Sequence, residues 1–434
     1  MTERKLPTGW VWTTLSDVVL PVSKTDPASF ERPQFRYIDI SAVDGNSQQL
    51  NDVPSVAVGS APSRARQLVR AGDTVFSTVR PYLRKIAWVP EHLDGEIAST
   101  GFCVLRPSPA IDSRFLFFAV TRQDFLDEVI AKQRGVSYPA VRPAEVLEIP
   151  IPLPPLPEQR RIVDALEDHL SRVNAADASV HAAIARISHL TRCNHRSALS
   201  RATNADSVRI SEIAKVGSGA TPLRSKARYY DGGTIPWATS GDLHAGDIFD
   251  VSGRITEVAM QETAVKLWPA GTLLVAMYGE GKTRGTVAEL RIASTTNQAC
   301  AAILIHPEFS DLKRWVRFIL RTRYDEMRSQ ASGGVQPNLS LGRIKEISIP
   351  MPDVEIRNAI LAEDEANSEA TDRLRLAGEQ SLARSAALRR SLLRAAFNGD
   401  LVDQDPTDEP VAGTLAKTQS RIVPRRRRKA VPAK

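Results

Sequence analysis

The run Ala276-Met-Tyr-Gly-Glu-Gly281-Lys282-Thr283 follows an apolar stretch, Thr272-Leu-Leu-Val-Ala276, and fits a relaxed phosphate-loop pattern. Such a loop cradles phosphates with backbone N–H groups and must open a helix whose positive end receives them. Here the following residues, Arg284-Gly-Thr-Val-Ala-Glu-Leu-Arg-Ile292, are β-like, and Ala276 stands where the pattern wants glycine. The run reads better as a Gly-hinged loop that presents Lys282 and Arg284. His189 and Cys193 are four apart with His195 close by, but a zinc site needs four converging ligands and nothing nearby supplies the remainder, so no metal is expected. Neither an Asn-Pro-Pro-aromatic run nor a Gly-x-Ser-x-Gly nucleophile elbow occurs. No catalytic residue is assigned, and the chemistry to look for is recognition.

The elements that would position such loops come in two copies. Gly135-Val-Ser-Tyr-Pro139 followed by Glu148-Ile-Pro-Ile-Pro-Leu-Pro154 returns as Gly333-Gly-Val-Gln-Pro337 followed by Glu346-Ile-Ser-Ile-Pro-Met-Pro352. The offset is constant, since 337 − 139 and 352 − 154 both give 198. Internal repetition at this period, with about a domain's length before each copy, predicts two globular modules. Phe35–Ser41, Asp73–Val79, Lys85–Val89 and Phe102–Leu105 are short, rich in β-branched and aromatic residues and bounded by turn formers, so they read as strands. Arg114 to Lys132 has apolar residues near helical spacing and reads as one helix. In the second module Ile210-Ser-Glu-Ile213 echoes Leu15-Ser-Asp-Val18, Ile292-Ala-Ser-Thr295 reproduces Ile97-Ala-Ser-Thr100, and Leu312 to Met327 takes the helix slot. The fold class expected is α+β in tandem, scaffold positions recurring while the loops differ.

Each module runs into a long charged arm, giving the boundaries 1–155, 156–203, 204–352, 353–399 and a basic tail 400–434 expected to be disordered. In the first arm Val163, Leu166, Leu170, Val173, Val180, Ile184 and Ile187 lie on a heptad seam interrupted by Asp177. The second can start at Asp353 and stop at Gly399, with Arg389, Arg390 and Arg394 near its negative end; Ile360, Ala366, Ala370, Leu374 and Ala377 form a poorer seam. Arms of roughly 45 residues, about 65 Å at helical rise, exceed one globular core and are expected to pack on each other as a coiled coil.

The formal charge of +7 comes from the tail, because Arg421 to Lys434 holds seven basic residues and no acid, leaving 7 − 7 = 0 for residues 1–420. A neutral body argues against indiscriminate coating of nucleic acid but allows a local basic groove. No apolar run approaches the ~20 residues of a membrane span, and the start lacks an apolar signal core, so a cytoplasmic location is expected. Three cysteines, Cys103, Cys193 and Cys300, make no disulfide framework.

Three stretches resemble a known family. Pro154-Pro-Leu-Pro-Glu-Gln-Arg-Arg-Ile-Val163, Leu6-Pro-Thr-Gly-Trp-Val-Trp12 and Gly232-Gly-Thr-Ile-Pro-Trp-Ala-Thr-Ser-Gly-Asp-Leu243 are similar to the specificity subunit of type I restriction-modification systems. The resemblance covers about residues 6–400. It implies a non-catalytic chain whose two target-recognition domains each read half of a split sequence in double-stranded DNA. The two long helices would pair antiparallel, set the spacing and dock two methyltransferase subunits, with restriction subunits joining and S-adenosylmethionine and ATP held by those partners. Pro157, Glu158, Gln159, Arg160, Glu355 and Arg357 become docking candidates. The second helix start, Asp353-Val-Glu-Ile-Arg-Asn-Ala-Ile360, is a degenerate copy, and the basic tail lies outside the pattern.

Groove-reading loops need Arg or Lys for guanine, Asn or Gln for adenine, and aromatic or Ser/Thr side chains for stacking and thymine contact. The first module offers Arg80, Tyr82, Arg84, Lys85, Ser137 and Tyr138; the second offers Thr221, Arg224, Lys226, Tyr229, Tyr230, Lys282, Arg284, Gln336 and Asn338. Asn297-Gln298 resembles a recurrent motif of the family beside the strand carrying Cys300, and a buried turn-capping role is equally open to it. The competing readings are a P-loop NTPase and a two-module protein scaffold without DNA specificity.

Overall fold

The computed structural model describes residues 6–135, 138–202, 205–279, 283–329 and 339–419. The chain divides into two compact units, Met1–Val180 with Gln380–Lys434, and His181–Glu379. Each long helix, Leu156–Ala202 and Val354–Asn398, contributes to both.

In the first unit, alternating strands build two four-stranded sheets. One has the order Ser55–Ala57, Gln34–Ile38, Ile97–Ser99, Ala65–Leu68; the other Val19–Leu20, Phe102–Pro107, Thr74–Ser77, Ile86–Trp88. A small antiparallel pair, Val11–Thr14 with Pro150–Leu153, sets Trp12 opposite Pro152. The second unit repeats the plan. Ala214–Ser218, Cys300–Ile305, Leu273–Ala276, Val287–Leu290 and Asp247–Ile248 form one sheet, and Ser207–Arg209 pairs with Ser348–Pro350. In both copies the strand carrying the repeated Ile-Ala-Ser-Thr or Ser-Thr residues runs parallel to an earlier aromatic strand, Ile97 beside Tyr37 and Thr295 beside Trp237.

The helix expected over Arg114–Lys132 is two, Ser113–Thr121 and Gln123–Ala131. Arg122 between them is extended (φ −62°, ψ 147°), which breaks the 3.6-residue period without any proline. The second unit breaks at the equivalent position, Lys313–Thr322 followed by Tyr324–Ser329, with Arg323 at φ −88°, ψ 13° between them. These helices bury Phe115, Phe118 and Phe125 against Phe76 and Leu105 in the first unit, and Trp315 and Phe318 against Ile303 and Leu273 in the second. Ile162 and Leu166 seat the first long helix in one core, and Ile360 seats the second in the other. Removing side chains of this size from water contributes about 1.5–3 kcal/mol each, which fixes the arms to the modules.

Along the first arm Val163, Leu166 and Val173 are buried, the first two in the core of the first module, and Val180, Ile184 and Ile187 are half-buried. Of the five residues expected to form the second arm's seam, Ile360 is buried. Ala366, Ala370, Leu374 and Ala377 are exposed, Leu374 by 57%. The covered face is instead Ile360, Asp364, Thr371, Gly378, Leu382, Arg389 and Leu392. Polar pairing sets its phase. In the first unit Arg389 donates to Asp177 and Asn174, both at 2.5 Å, and in the second His195 lies 2.9 Å from Asp364 and Arg201 2.6 Å from Glu363. Counting apolar residues cannot find a seam built partly from ion pairs.

The expected tail is ordered as far as Gln419. Gly399 ends the second long helix at φ +82°, and a Cβ there would come within 2.4 Å of Pro7. Asp408 then accepts from Arg161 at 2.7 Å, and Val411, 3% exposed, opens a helix, Val411–Gln419, that joins the first core. Residues 420–434 lie outside the described residues. Among the described residues no helix is long and apolar enough to cross a membrane.

Candidate nucleic-acid interface

The hairpin Thr74–Ser77/Ile86–Trp88 projects a tip whose backbone is forced. Arg80 (φ +48°) and Arg84 (φ +54°) are both left-handed and bracket one turn of 3₁₀ helix, Pro81–Leu83. For residues with a Cβ this conformation costs roughly 1–2 kcal/mol each, so other contacts must hold it. Arg80 N–H donates to Pro139 at 2.7 Å. Arg84 donates to Thr121 O at 2.9 Å and Gln123 at 2.8 Å, and Lys85 Nζ to Ile40 O at 3.0 Å and Val43 O at 2.8 Å. A Cβ on Gly45 would lie 2.1 Å from Leu83 O, so glycine lets the tip settle.

Arg84 and Lys85, expected to touch bases, are thus turned inward as anchors. What they hold outward is Tyr82, Leu83 and Tyr138, exposed by 48%, 43% and 73%, with the Arg80 guanidinium 4.8 Å over the Tyr138 ring. The tip therefore presents stacking and apolar surface with one cation. Leu83 escaped the sequence reading because an aliphatic residue in a short loop carries no polar signal. Ser137 lies outside the described residues.

In the second unit the same sorting separates anchors from outward-facing side chains. Tyr229 is buried at 3% and donates its hydroxyl to Glu262, Tyr230 donates to Pro222 O at 2.6 Å and packs edge-on to Trp237, and Lys226 donates to the Tyr229 hydroxyl. These three brace the loop. Thr221 donates to Gln298. Between them Leu223, 60% exposed, and Arg224 face solvent. Asn297 caps its turn by accepting from Ala299 N–H at 3.1 Å.

The phosphate-loop look-alike closes on a strand. Gly285 N–H donates to Ala276 O, and Val287–Leu290 then returns antiparallel to Leu273–Ala276, so the run leads into a strand instead of opening a helix. Arg284 sits in this turn, while Lys282, Gln336 and Asn338 lie outside the described residues. His189 and Cys193 approach to 3.5 Å, and the described residues contain no group of three metal-binding side chains. Cys103 and Cys300 are buried, which pushes both thiols up to about 12.

The docking candidates also separate. Trp10 Nε1–H donates to Glu158 at 3.0 Å; burial pushes the Glu158 carboxyl up, and that hydrogen bond opposes the rise. Gln159, fully buried, accepts from Asp112 N–H at 2.7 Å and donates to Ala110 O and Pro154 O. The Gly-Trp and Pro-Glu-Gln stretches thus meet to lock the arm to the first module, which removes Glu158 and Gln159 from any docking surface. Arg357 takes the place of Gln159 in the degenerate copy and approaches Asp311 at 4.0 Å. Pro157, Arg160 and Glu355 are exposed.

Two α+β modules on one frame, each displaying its own loop tip and each followed by a long helix, define a tandem recognition protein. The family described as "Type I restriction modification DNA specificity domain" matches residues 9–179 and 203–362, and the chain belongs to that family. Similar curated proteins include the type I restriction enzyme MjaIX specificity subunit of Methanocaldococcus jannaschii, 29% identical over 160 residues, and the EcoDI specificity subunit of Escherichia coli, 24% identical over 186. The matches cover 36% and 43% of this chain and only 36% and 40% of those relatives. Among solved structures, a chain from a study of complex assembly and conformational transition of the type I R-M system superposes with TM-score 0.73 at 28% identity, covering 91% of this chain and 99% of the other. The HsdS subunit from Thermoanaerobacter tengcongensis is 30% identical at TM-score 0.50, covering 92% and 99%.

Proposed function

We propose that the chain is the non-catalytic specificity subunit of a type I restriction-modification complex, each module reading one half of a bipartite double-stranded DNA target. The observation that carries this reading is the duplicated frame with unlike exposed loop residues, Tyr82–Leu83 with Tyr138 at the Thr74–Ser77/Ile86–Trp88 hairpin of one copy and Leu223–Arg224 in the loop after Ala214–Ser218 of the other. Equal scaffolds hold equal geometry, and unlike tips read unlike bases.

The long helices act as an antiparallel coiled coil that sets the distance between half-sites. Positions 177, 195 and 201 of the first helix find partners at 389, 364 and 363 of the second, descending as the first ascends. Two methyltransferase subunits dock on these helices, and Leu190, Leu374, Leu376 and Leu388, each about half exposed, supply apolar surface for them. S-adenosylmethionine and ATP belong to the methyltransferase and restriction subunits, and the complex works in the cytoplasm.

Exchanging residues 204–352 for the equivalent module of a relative, followed by methylation mapping, tests the assignment. One half of the recognised sequence should change while the other stays. Both halves changing, or neither, refutes independent reading.

A further inference from the structure

In the first unit the hairpin tip sends Arg84 into the wall of a groove of about 920 Å³, lined also by Trp12, Arg122, Arg390, Arg394 and Phe397. Its charge is unbalanced. Four guanidiniums face two carboxylates, Asp124 and Glu128, and Asp124 is already engaged by Arg122 at 2.9 and 2.5 Å. Arg122 is 8% exposed with its guanidinium 4.7 Å over Phe397, and its Nη1 has no hydrogen-bond partner. A buried cationic N–H left unmade is costly unless a ligand completes it. Arg390 and Arg394, one turn apart on the second long helix, have no carboxylate partner among the described residues. Arg84 donates only to neutral acceptors; burial and then the neighbouring Arg390 weaken its hold on its proton.

The helix dipole favours cations near Asn398 and so accounts for Arg390 and Arg394, but not for their meeting Arg84 and Arg122 in one concavity. The repeat offers an internal contrast. Arg323 follows Thr322 as Arg122 follows Thr121, and it lines a recess of about 500 Å³, yet there Arg323 and Arg343 are matched by Glu326 and Glu346. The excess belongs to this groove and not to that recess, in a body whose residues 1–420 sum to zero charge.

We propose that this groove is a phosphate clamp: Arg390, Arg394 and the free edge of Arg122 grip the DNA backbone beside the bases met by Tyr82 and Leu83, without regard to sequence. The inference rests on the DNA-reading role proposed above. DNA is favoured over an acidic protein segment because Arg84 belongs to the same five-residue tip as Tyr82 and Leu83, so a ligand that meets the tip reaches the groove.

The test is the double variant Arg390→Gln/Arg394→Gln, both side chains being exposed and unpaired, assembled with its methyltransferase subunits. Affinity is titrated on target and non-target duplexes between about 50 and 200 mM salt. Losing two phosphate contacts should flatten the slope of log K against log salt by about 1.8, equally on both duplexes, and leave half-site preference intact. An unchanged slope overturns the clamp. So does a weakened assembly with methyltransferase at unchanged salt slope, which would assign the groove to an acidic segment of that partner. Altered base preference would overturn its indifference to sequence. If the wild-type complex itself fails to distinguish target from non-target duplex, the specificity reading falls instead.

Discussion

Lys85 and Tyr82 lie three residues apart in one hairpin tip, and the structure turns the first inward and the second outward, a difference that substitution can separate. Lys85→Met keeps the aliphatic stem but removes both bonds from Nζ, to Ile40 O and Val43 O at 3.0 and 2.8 Å. A hydrogen bond to a charged group contributes about 1.5–3 kcal/mol, and these carbonyls are only partly covered, so a total loss of about 2 kcal/mol is expected. The left-handed Arg80 and Arg84 then lose part of what holds them, and the tip relaxes. Tyr82→Ala removes a ring that is 48% exposed, and stability should stay within about 0.5 kcal/mol. Losing a stacked or apolar base contact costs about 1–3 kcal/mol of binding, roughly five- to 150-fold in affinity for the first half-site. Urea unfolding and titration with duplexes altered in one half-site at a time measure both quantities. Tyr82→Ala should leave the midpoint unmoved and weaken discrimination in the first half only; Lys85→Met should lower the midpoint. If Lys85→Met lowers DNA affinity with no loss of stability, Lys85 touches DNA and the division of labour argued here is wrong.

Acid should loosen the second unit through Asp364. Burial raises its pKa, but the hydrogen bond from His195 and the charge of Arg321 outweigh burial and hold the carboxyl below its ordinary range. A group depressed in the folded state stabilises above its unfolded pKa of about 3.9 and loses that contribution as pH falls through the folded value. Asp364→Asn should therefore flatten the decline of the urea midpoint below about pH 4; an unchanged decline would remove Asp364 from the acid response. Inserting matched heptads into both long helices adds about 10 Å, or roughly three base pairs. An active variant should methylate half-sites set further apart with both half-sequences unchanged, and retention of the original gap would show that the helices do not measure the target.

The duplication, the α+β class and the family were all legible in the residues, because each depends on local patterns, the duplication on two motifs that recur at an offset of 198. The covered stripe of the first arm was legible for the same reason, its apolar residues repeating at heptad spacing. Where a role depends on which way a side chain turns, sequence alone was insufficient. Arg84 and Lys85 look like base readers by type, yet two left-handed residues rotate the tip so that both point inward and Leu83 points out. Glu158 and Gln159 look like docking residues, but Trp10 and Asp112, 148 and 47 residues away, bury them. The second arm's phase follows ion pairs with the first arm, and apolar periodicity carries no information about those. Residues 400–419 read as a polar tail because only Val411 and its few apolar neighbours meet the core, and a handful of contacts made at long range leaves no periodic trace. Local pattern, in short range, determined what elements this chain forms; the directions of side chains, set by contacts between distant segments, were decided only by the tertiary structure.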